Sequence, residues 1–359
     1  QPAGTTMTTG ARTFGYEIRD CDPGDENQVN QLLGRTVGET HGSRKTSDYW
    51  HWKYLSCPFG PADRLCAYVP GSHEVGGFAA MMPWNMRSPD GAVRTVIRCV
   101  DTGTSPDHQR KGIFSALIRF SMERRRREGV PFMFGTPNDQ SLPGYMKLDW
   151  TNAGFLPLYV RPILRPSLVR QLANRHAHPT EDVLRPGATG LTPWSEYRAR
   201  EPDELARLVH AHESGRRHTG YRTDRTMEYL DWRYGGNPNI AYGVHVQQSN
   251  GRPRAIVIGR NTAGIRRSRA LIINEMFLEE PSPRNAARLI RTLIASTRAD
   301  YLLAHFAEGT VERAALRRNA FFKPPRRGYT WITKQLDPPP LDPGRLEHWD
   351  LTAGELELF

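Results

Sequence analysis

The sequence predicts two domains of mixed α/β structure joined head to tail. The chain has 359 residues, about twice the length of a typical single domain. Segments typical of strands alternate with segments typical of helices. An aromatic pattern also recurs after 180 residues, since residues 47–54 are SDYWHWKY and residues 227–234 are MEYLDWRY. Two copies of one fold are the simplest explanation of this repeat.

A weaker correspondence extends the repeat toward the start of each copy. Strand-like residues 16–19 precede an acidic helix start, and residues 196–198 precede a similar acidic segment, so we predict a strand at both positions. The predicted organisation is a tag or disordered N-terminus at 1–13, an N-terminal domain at 14–165, a Pro-, Gly- and Arg-rich linker at 166–190, a C-terminal domain at 191–336 and a tail at 337–359.

Residues 108–118, with the sequence HQRKGIFSALI, form a candidate phosphate-binding loop. A strand is predicted at 96–102, a turn at Pro106 and Asp107, and a helix from Ile113. The first amides of a helix have no partner within it, and the helix dipole is positive there. We therefore predict that backbone amides hold a diphosphate, with Gly112 allowing close approach. The residues of this predicted cradle are Gln109, Arg110, Lys111, Gly112, Ile113, Phe114 and Ser115.

A second motif follows the strand predicted at 132–136. Residues 137–150 are PNDQSLPGYMKLDW, which matches the pattern N-x-x-A-x-x-x-Y-x-x-L-G-F. The matching positions are Asn138, Ser141 in place of Ala, Tyr145, Leu148, Asp149 in place of Gly, and Trp150 in place of Phe. With the loop upstream, the chain resembles a tandem, two-domain member of the GCN5-related N-acetyltransferase (GNAT) superfamily.

This resemblance implies a fold in which each half is a twisted mixed sheet flanked by helices, and it implies acyl-CoA as a donor. The family's loop pattern, Q/R-x-x-G-x-G/A, maps onto Gln109, Gly112 and Phe114, and Phe114 departs from the small residue expected there. The bulky side chain is expected to narrow the loop or to shift the diphosphate.

The resemblance also assigns roles along the pantetheine arm. Strand amides at Val100 and Thr102 would orient the arm and polarise the thioester carbonyl, and Asn138 and Ser141 would also contact the donor. Tyr145 would protonate the departing thiolate, because a phenol is protonated at neutral pH and its pKa is near that of a thiol.

The acceptor amine requires a base, for which the sequence offers three candidates. Glu39 and His41 lie in the turn after the first predicted helix, and Asp101 lies on the predicted donor strand. Each has a purely structural alternative, namely a helix cap for Glu39, a surface histidine for His41 and a strand-end contact for Asp101. The aromatic residues of the repeat favour a core role, because they recur in both copies.

The second copy is expected to lack a donor site. The segment after residues 274–278 is EEPSPRNAARLIRTLI, which contains no glycine, and Glu279 and Glu280 would repel a diphosphate. Alignment with the second motif places Leu316 at the position of the tyrosine.

Composition limits the remaining possibilities. Apolar residues make up 38% of the chain, and no apolar run approaches the roughly 20 residues that a membrane span needs. We expect a cytoplasmic protein with no membrane or DNA partner. The four cysteines show no spacing suited to zinc, so we expect free, mostly buried thiols and no metal.

The net charge of +11 has three interpretations. The arginines, including the run at 124–127, form an ordinary solvated surface, create a positive field that attracts CoA, or form a binding surface for tRNA. The predicted function is transfer of an acyl group, acetyl in the first instance, from acyl-CoA to the amine of a small molecule such as a natural-product precursor. The alternatives are aminoacyl transfer from tRNA to a small molecule, and a non-catalytic CoA-binding protein.

Overall fold

The computed structural model describes residues 11–13, 15–38, 44–163, 184–215, 218–263, 268–325 and 328–356. The chain divides into two compact units. The first unit comprises the described residues of Gln1–Asn85, Thr95–Ala153 and Thr330–Gly344, and the second those of Met86–Arg94, Gly154–Tyr329 and Arg345–Phe359. Each unit therefore contains residues from both halves of the sequence, unlike the predicted division at 14–165 and 191–336.

The first sheet is mixed. Its strands are β1 (Ala11–Thr13), β2 (Tyr16–Asp20), β3 (Asp63–Tyr68), β4 (Val75–Arg87), β5 (Val93–Thr104), β6 (Phe132–Gly135), β7 (Thr151–Pro157) and β15 (Gly328–Gln335). They follow the order β1-β2-β3-β4-β5-β6-β15-β7, and the short β10 (Arg222–Thr223) pairs with the end of β4. The pair β5 and β6 is parallel, whereas β15 runs antiparallel to β6. A strand from late in the sequence thus completes the sheet of the first unit.

Four helices lie among the described residues of the first unit. They are α1 (Glu26–Thr36), α2 (Ser47–Trp50, continued as a π-helix over His51–Leu55), α3 (Ile113–Arg127) and α4 (Leu142–Met146). Ile113 and Leu117 of α3 are buried at helical spacing and share a core cluster with Tyr145 of α4 and Ile332 of β15. This cluster packs the start of α3 and the whole of α4 against the same part of the sheet.

The second unit has its own mixed sheet, of order β8-β14-β13-β12-β11-β9. The strands are β8 (Tyr159–Pro162), β9 (Thr192–Pro193), β11 (Tyr242–Ser249), β12 (Arg252–Ala263), β13 (Arg269–Leu278) and β14 (Tyr301–Ala304). The helices are α5 (Trp194–Arg200), α6 (Pro202–Gly215), α7 (Met227–Leu230, continued as a π-helix over Asp231–Gly235), α8 (Pro283–Ser296), α9 (Val311–Arg318) and α10 (Ala353–Leu356). Here β13 and β14 form the parallel pair.

The predicted mixed sheets flanked by helices are confirmed, and the aromatic repeat is a structural repeat. In each copy a short α-helix passes into a π-helix, and a threonine, Thr46 or Thr226, caps it by accepting the amide of Tyr49 or Tyr229. The aromatic side chains of both copies lie in the core.

The strand predicted at 196–198 is wrong, because these residues lie in α5. Trp194 and Tyr197 are both buried and lie three residues apart, which matches one face of a helix rather than a strand. The strand that precedes this helix is the two-residue β9.

The expectation of free thiols is wrong for Cys21 and Cys66, which form a disulfide. Cys66 on β3 pairs with Arg19 on β2, and Cys21 directly follows β2, so strand pairing brings the two Cα atoms to 5.0 Å across 45 residues of sequence. Cys57 and Cys99 are free and buried, as expected. Among the described residues, no helix has the length and apolarity needed to cross a membrane.

Candidate functional site

The parallel strands β5 and β6 separate after a short pairing. Their register runs from Ile97 opposite Met133 to Cys99 opposite Gly135, where β6 ends, while β5 continues to Thr104. Beyond the last pair, this edge of β5 can bind an extended ligand through backbone hydrogen bonds. The two strand residues predicted to hold pantetheine, Val100 and Thr102, lie in this extension.

The candidate phosphate loop lies between the end of β5 and the start of α3. A single 3-10 turn covers Pro106–His108, and the exposed residues from Gln109 to Gly112 precede the helix. Arg110 and Gly112 both adopt positive φ values, of 63° and 77°. Gly112 is the N-cap residue, and glycine adopts this left-handed conformation without strain. The turn leads directly into a 15-residue helix, whose first amides have no partner within the helix and can therefore bind an anion.

His108 anchors this loop to the sheet. Its Nδ1 lies 2.8 Å from the Tyr16 hydroxyl on β2, and its Nε2 lies 3.0 Å from a carboxylate oxygen of Glu74, just before β4. Sequence reasoning missed this role. The only available signal was the position of His108 directly before the loop, because its partners lie 92 and 34 residues away.

The bulky Phe114 packs toward α4. Its ring meets that of Tyr145 edge-on, with 5.1 Å between centroids, and a Cβ atom on Gly144 would lie only 2.6 Å from Phe114 Cε1. The glycine on α4 therefore provides the space that a large residue on α3 needs. Packing of Phe114 against Gly144 and Tyr145 accounts for the side chain without placing it in the loop.

Tyr145 joins α4 to the donor strand. It is 3% exposed, and the side chains of Thr102 and Cys99 lie close enough to its hydroxyl to affect its pKa. Burial raises the pKa of Tyr145 well above its usual value, which keeps the phenol protonated at neutral pH.

Asn138 and Ser141 organise the turn before α4. Asn138 Oδ1 accepts hydrogen bonds from the amides of Gln140 and Ser141, at 3.1 and 2.9 Å, and from Ser141 Oγ at 3.0 Å. The Asn138 side-chain oxygen thus fixes the local backbone, and Nδ2 is the group that it can offer to a ligand. The structure brings the turn, Tyr145 and the donor strand together within the first unit.

Asp101 lies in a buried polar cluster with Tyr54, Lys53 and Lys45. The Tyr54 hydroxyl donates to Asp101 Oδ2 at 2.5 Å, Lys53 Nζ lies 2.6 Å from the same oxygen, and Lys45 Nζ lies 3.7 Å from Oδ1. Burial alone would raise the pKa of Asp101, but the two ammonium groups lower it below its usual value. Burial lowers the pKa of Lys53 to about 8 against the opposing effect of Asp101. The other two candidate bases, Glu39 and His41, lie outside the described residues.

The second unit contains the same kind of cluster. The Tyr234 hydroxyl donates to Glu275 at 3.0 Å, and Arg225 pairs with Glu275 at 3.1 Å. Arg225 also pairs with Glu355 of α10 at 2.7 Å. Arg225 and Tyr234 lie 180 residues after Lys45 and Tyr54, so the tyrosine, the carboxylate and the cation of the first cluster all have counterparts.

We expect a pH-dependent stability from this second cluster. Burial raises the pKa of Glu275 to about 7, although Arg225 opposes the shift. A carboxyl group whose pKa is higher in the folded than in the unfolded state contributes its full stabilisation at pH values below the pKa of an ordinary glutamate. This contribution is lost as the pH rises through about 7. The free energy of unfolding should therefore fall between about pH 5 and pH 7, by up to about 3 kcal/mol. Urea titrations of wild type and Glu275→Gln should show the shallower dependence in the variant, and equal slopes would contradict the assignment.

The phosphate loop and the tyrosine have no equivalents among the described residues of the second unit. At the start of α8, Ser282 Oγ accepts the amide of Asn285 at 3.1 Å, so the helix is capped by its own chain. Glu279, just before this helix, pairs with Arg207 at 2.5 Å. The helix α9, which follows β14 as α4 follows β6, contains no tyrosine.

The arginine run of α3 is largely engaged in ion pairs. Arg124 pairs with Asp20 at 2.7 Å, Arg125 pairs with Asp63, and Arg127 lies 3.7 Å from Glu123. These contacts indicate that the arginines hold α3 against β2 and β3 rather than form a basic binding surface for tRNA.

Comparison with known proteins agrees with this geometry. The family model described as acetyltransferase (GNAT) domain matches residues 17–153. No curated protein sequence matches the chain. A GCN5-related N-acetyltransferase from Anabaena variabilis ATCC 29413 is similar in structure, with a TM-score of 0.61 and 15% identity over 90% of this chain and 73% of that one.

Two further solved structures share the fold. A conserved protein of unknown function from Enterococcus faecalis V583, described as a probable N-acyltransferase, has a TM-score of 0.60 and 14% identity over 90% of this chain and 72% of its own. Saccharomyces cerevisiae N-myristoyltransferase with bound myristoyl-CoA has a TM-score of 0.58 and 12% identity over 96% of this chain and 85% of its own. Residues 17–153 are therefore a GNAT acetyltransferase domain, in a chain that has the fold of GNAT-like N-acyltransferases.

Proposed function

We propose that this protein transfers an acyl group, acetyl in the first instance, from acyl-CoA to the amine of a small molecule. The observation that carries the proposal is the alignment of three parts in one unit: the loop before α3, the diverging edge of β5 and the Tyr145 hydroxyl. The loop can hold a diphosphate, and the strand edge can hold an amide-rich arm. The Tyr145 hydroxyl is close enough to Thr102, in the stretch of β5 that extends beyond β6, for Thr102 to affect its pKa.

The proposed reaction is a direct transfer. The amine nitrogen attacks the thioester carbonyl carbon, the C–N bond forms, and the C–S bond breaks. Amides at Val100 and Thr102 polarise the carbonyl oxygen, Tyr145 gives its proton to the leaving sulfur, and the proton lost by the amine passes to a base, for which Glu39 and Asp101 are the candidates. Solvent then restores the proton on Tyr145.

Assays with different donors and acceptors can determine the length of the acyl chain and the nature of the acceptor. One structural neighbour holds myristoyl-CoA, so a long-chain donor belongs in the same assay as acetyl-CoA. For the acceptor we propose a small amine, as in natural-product precursors, aminosugars and amino acids. The capped start of α8 and the absence of tyrosine in α9 support a non-catalytic second unit.

The test is calorimetric titration of the protein with acetyl-CoA. We expect one site per chain with micromolar affinity, and Gly112→Asp should weaken binding at least about tenfold, because it adds strain at φ 77° and a charge beside the diphosphate. Gly251→Asp is the matched control, since Gly251 has φ 72° in the second unit and a Cβ atom added there would meet nothing within 4 Å. An unchanged affinity in Gly112→Asp would exclude the loop.

A parallel titration with total tRNA at matched salt addresses the other predicted donor. Engagement of the α3 arginines in ion pairs supports CoA over tRNA. Tight, salt-dependent binding of tRNA with no binding of acyl-CoA would overturn the proposal. Binding of acyl-CoA with no turnover on any amine would support the alternative of a non-catalytic CoA-binding protein.

A further inference from the structure

The candidate phosphate loop contains a strained residue close to its glycine. Arg110 is exposed and has a φ of 63°, in the left-handed region that side chains other than glycine rarely adopt. Such a conformation persists only where the surrounding structure holds it. The exposed side chain of Arg110 makes no contact that would do so, and the loop must therefore be fixed by the residues on either side of it.

Two consecutive glycines of β4 fix the loop against the sheet. A Cβ atom on Gly77 would lie 2.4 Å from Ile113 Cγ2, so the first residue of α3 packs directly on the strand backbone. A Cβ atom on Gly76 would lie 3.3 Å from His108 Cγ, and the Gly76 carbonyl accepts the amide of Ser105 at 3.0 Å. The absence of side chains at these two positions thus lets both ends of the loop approach β4.

His108 fixes the first of these ends through two hydrogen bonds. Its Nε2 lies 3.0 Å from Glu74 Oε1 and its Nδ1 lies 2.8 Å from the Tyr16 hydroxyl. A carboxylate only accepts hydrogen bonds, so Nε2 carries the hydrogen and, in the neutral ring, Nδ1 accepts the hydroxyl of Tyr16. By contrast, the side chains of Gln109 and Lys111 bond to carbonyl oxygens only four or five residues away. His108 therefore connects the loop to two other parts of the sheet.

We propose that His108 and Tyr16 are positioning residues for the donor diphosphate: they hold the loop so that the amides of residues 109–115 are in place before the donor binds. This inference rests on the proposed function, in which the donor is an acyl-CoA. Neither residue needs to touch the donor in this role. Because a loop that is already ordered does not have to be ordered during binding, the contact should strengthen donor affinity and leave the chemical step unchanged.

The main experiment compares Tyr16→Phe with Tyr68→Phe in the full chain. Tyr16→Phe removes one hydroxyl and keeps the ring, which meets that of His108 edge-on at 5.7 Å between centroids. We expect the dissociation constant for acetyl-CoA to rise about three- to tenfold, the effect of one lost hydrogen bond, while kcat stays within about twofold. An unchanged dissociation constant in Tyr16→Phe would overturn the inference.

Tyr68 is a suitable control because it lies on β3, next to β2 in the same sheet, and is as deeply buried as Tyr16. Its hydroxyl accepts the amide of Asp22 at 2.9 Å and donates to Asp25, and neither partner belongs to the loop. Tyr68→Phe should therefore leave the affinity for acetyl-CoA unchanged. An equal loss of affinity in both variants would mean that any lost hydroxyl in this sheet weakens binding, and the inference would be wrong.

A donor without a diphosphate tests whether His108 acts through the loop. S-acetylpantetheine contains the thioester and the pantetheine arm only. In His108→Ala, kcat/KM should fall about tenfold with acetyl-CoA and stay within about twofold of wild type with S-acetylpantetheine. His245→Ala is the control, because His245 bonds to Thr292 at 3.0 Å in the second unit, and it should change neither value. Equal losses with both donors in His108→Ala would contradict a role in diphosphate binding.

A measurement without donor separates this inference from the proposed function. The amides of Ser105 and His108 donate to the carbonyls of Gly76 and Ser105, at 3.0 and 2.9 Å, so their hydrogen exchange reports how firmly the loop is held. Exchange of the peptide that covers residues 105–109 should be faster in His108→Ala than in wild type and unchanged in Tyr68→Phe. Equal exchange in His108→Ala and wild type would exclude the anchor. Faster exchange in a protein whose wild type binds no acyl-CoA would reject the proposed function and leave the anchor standing.

Discussion

Replacement of Tyr145 by phenylalanine should lower kcat by about 10²- to 10⁴-fold, the range for loss of a general acid. The aromatic ring stays, and with it the edge-on contacts to Phe114 and Trp150, at 5.1 and 4.8 Å between centroids. Only the phenolic hydroxyl is lost. The dissociation constant for acetyl-CoA should therefore change by less than about threefold, because binding depends on the loop and the strand edge.

This result would be measured by steady-state turnover together with calorimetric affinity for the donor. Tyr197→Phe is a suitable control, since Tyr197 is also buried but belongs to α5 of the second unit. Full turnover in Tyr145→Phe would mean that the thiolate leaves without this acid. Loss of donor affinity to the same degree as turnover would mean that Tyr145 supports binding rather than proton transfer.

The local structure around the candidate donor site could be predicted because its signals are local in sequence. The glycine of the loop, the helix start at Ile113 and the spacing from Asn138 to Tyr145 each depend on residues a few positions apart. Turn geometry and helix capping follow from such short-range patterns. The strand, the turn at Pro106 and the start of α3 at Ile113 are accordingly found where the sequence predicts them.

Contacts between distant residues could not be predicted in the same way. The Tyr54 to Asp101 bond spans 47 residues, and the bond between Tyr16 and His108 spans 92. Such contacts depend on which strands become neighbours, and a single sequence does not reveal the register of a sheet. The disulfide between Cys21 and Cys66 was missed for the same reason.

The placement of β15 is the largest difference between the predicted and the observed organisation. Sequence order assigns residues 328–335 to the second copy, yet β15 pairs with β6 and adjoins β7 in the first sheet. Lys334 Nζ also donates to the carbonyl oxygens of Leu148 and Asp149, at 3.1 and 2.8 Å, just after α4. The sheet that carries the donor motifs is thus completed by a strand that lies almost two hundred residues later in the sequence.

This arrangement predicts that a substitution far along the sequence will damage the donor site. Ile332 of β15 is fully buried, pairs with Gly135 of β6 and shares a core cluster with Ile113 and Tyr145. Ile332→Ala should lower the free energy of unfolding by about 2–5 kcal/mol, through lost burial and the cavity left behind. The cavity adjoins the packing of α3 and α4, so the affinity for acetyl-CoA should also fall, by about tenfold or more.

The matched control is Leu303→Ala, because Leu303 is buried on β14 in a core cluster of the second unit. Urea unfolding should show a similar loss of stability in the two variants, while calorimetry should show weaker donor binding only in Ile332→Ala. If both variants bind acetyl-CoA as the wild type does, the β15 strand is not needed for the donor site. If both lose affinity equally, the effect reports global stability and not the local packing of α3 and α4 against β15.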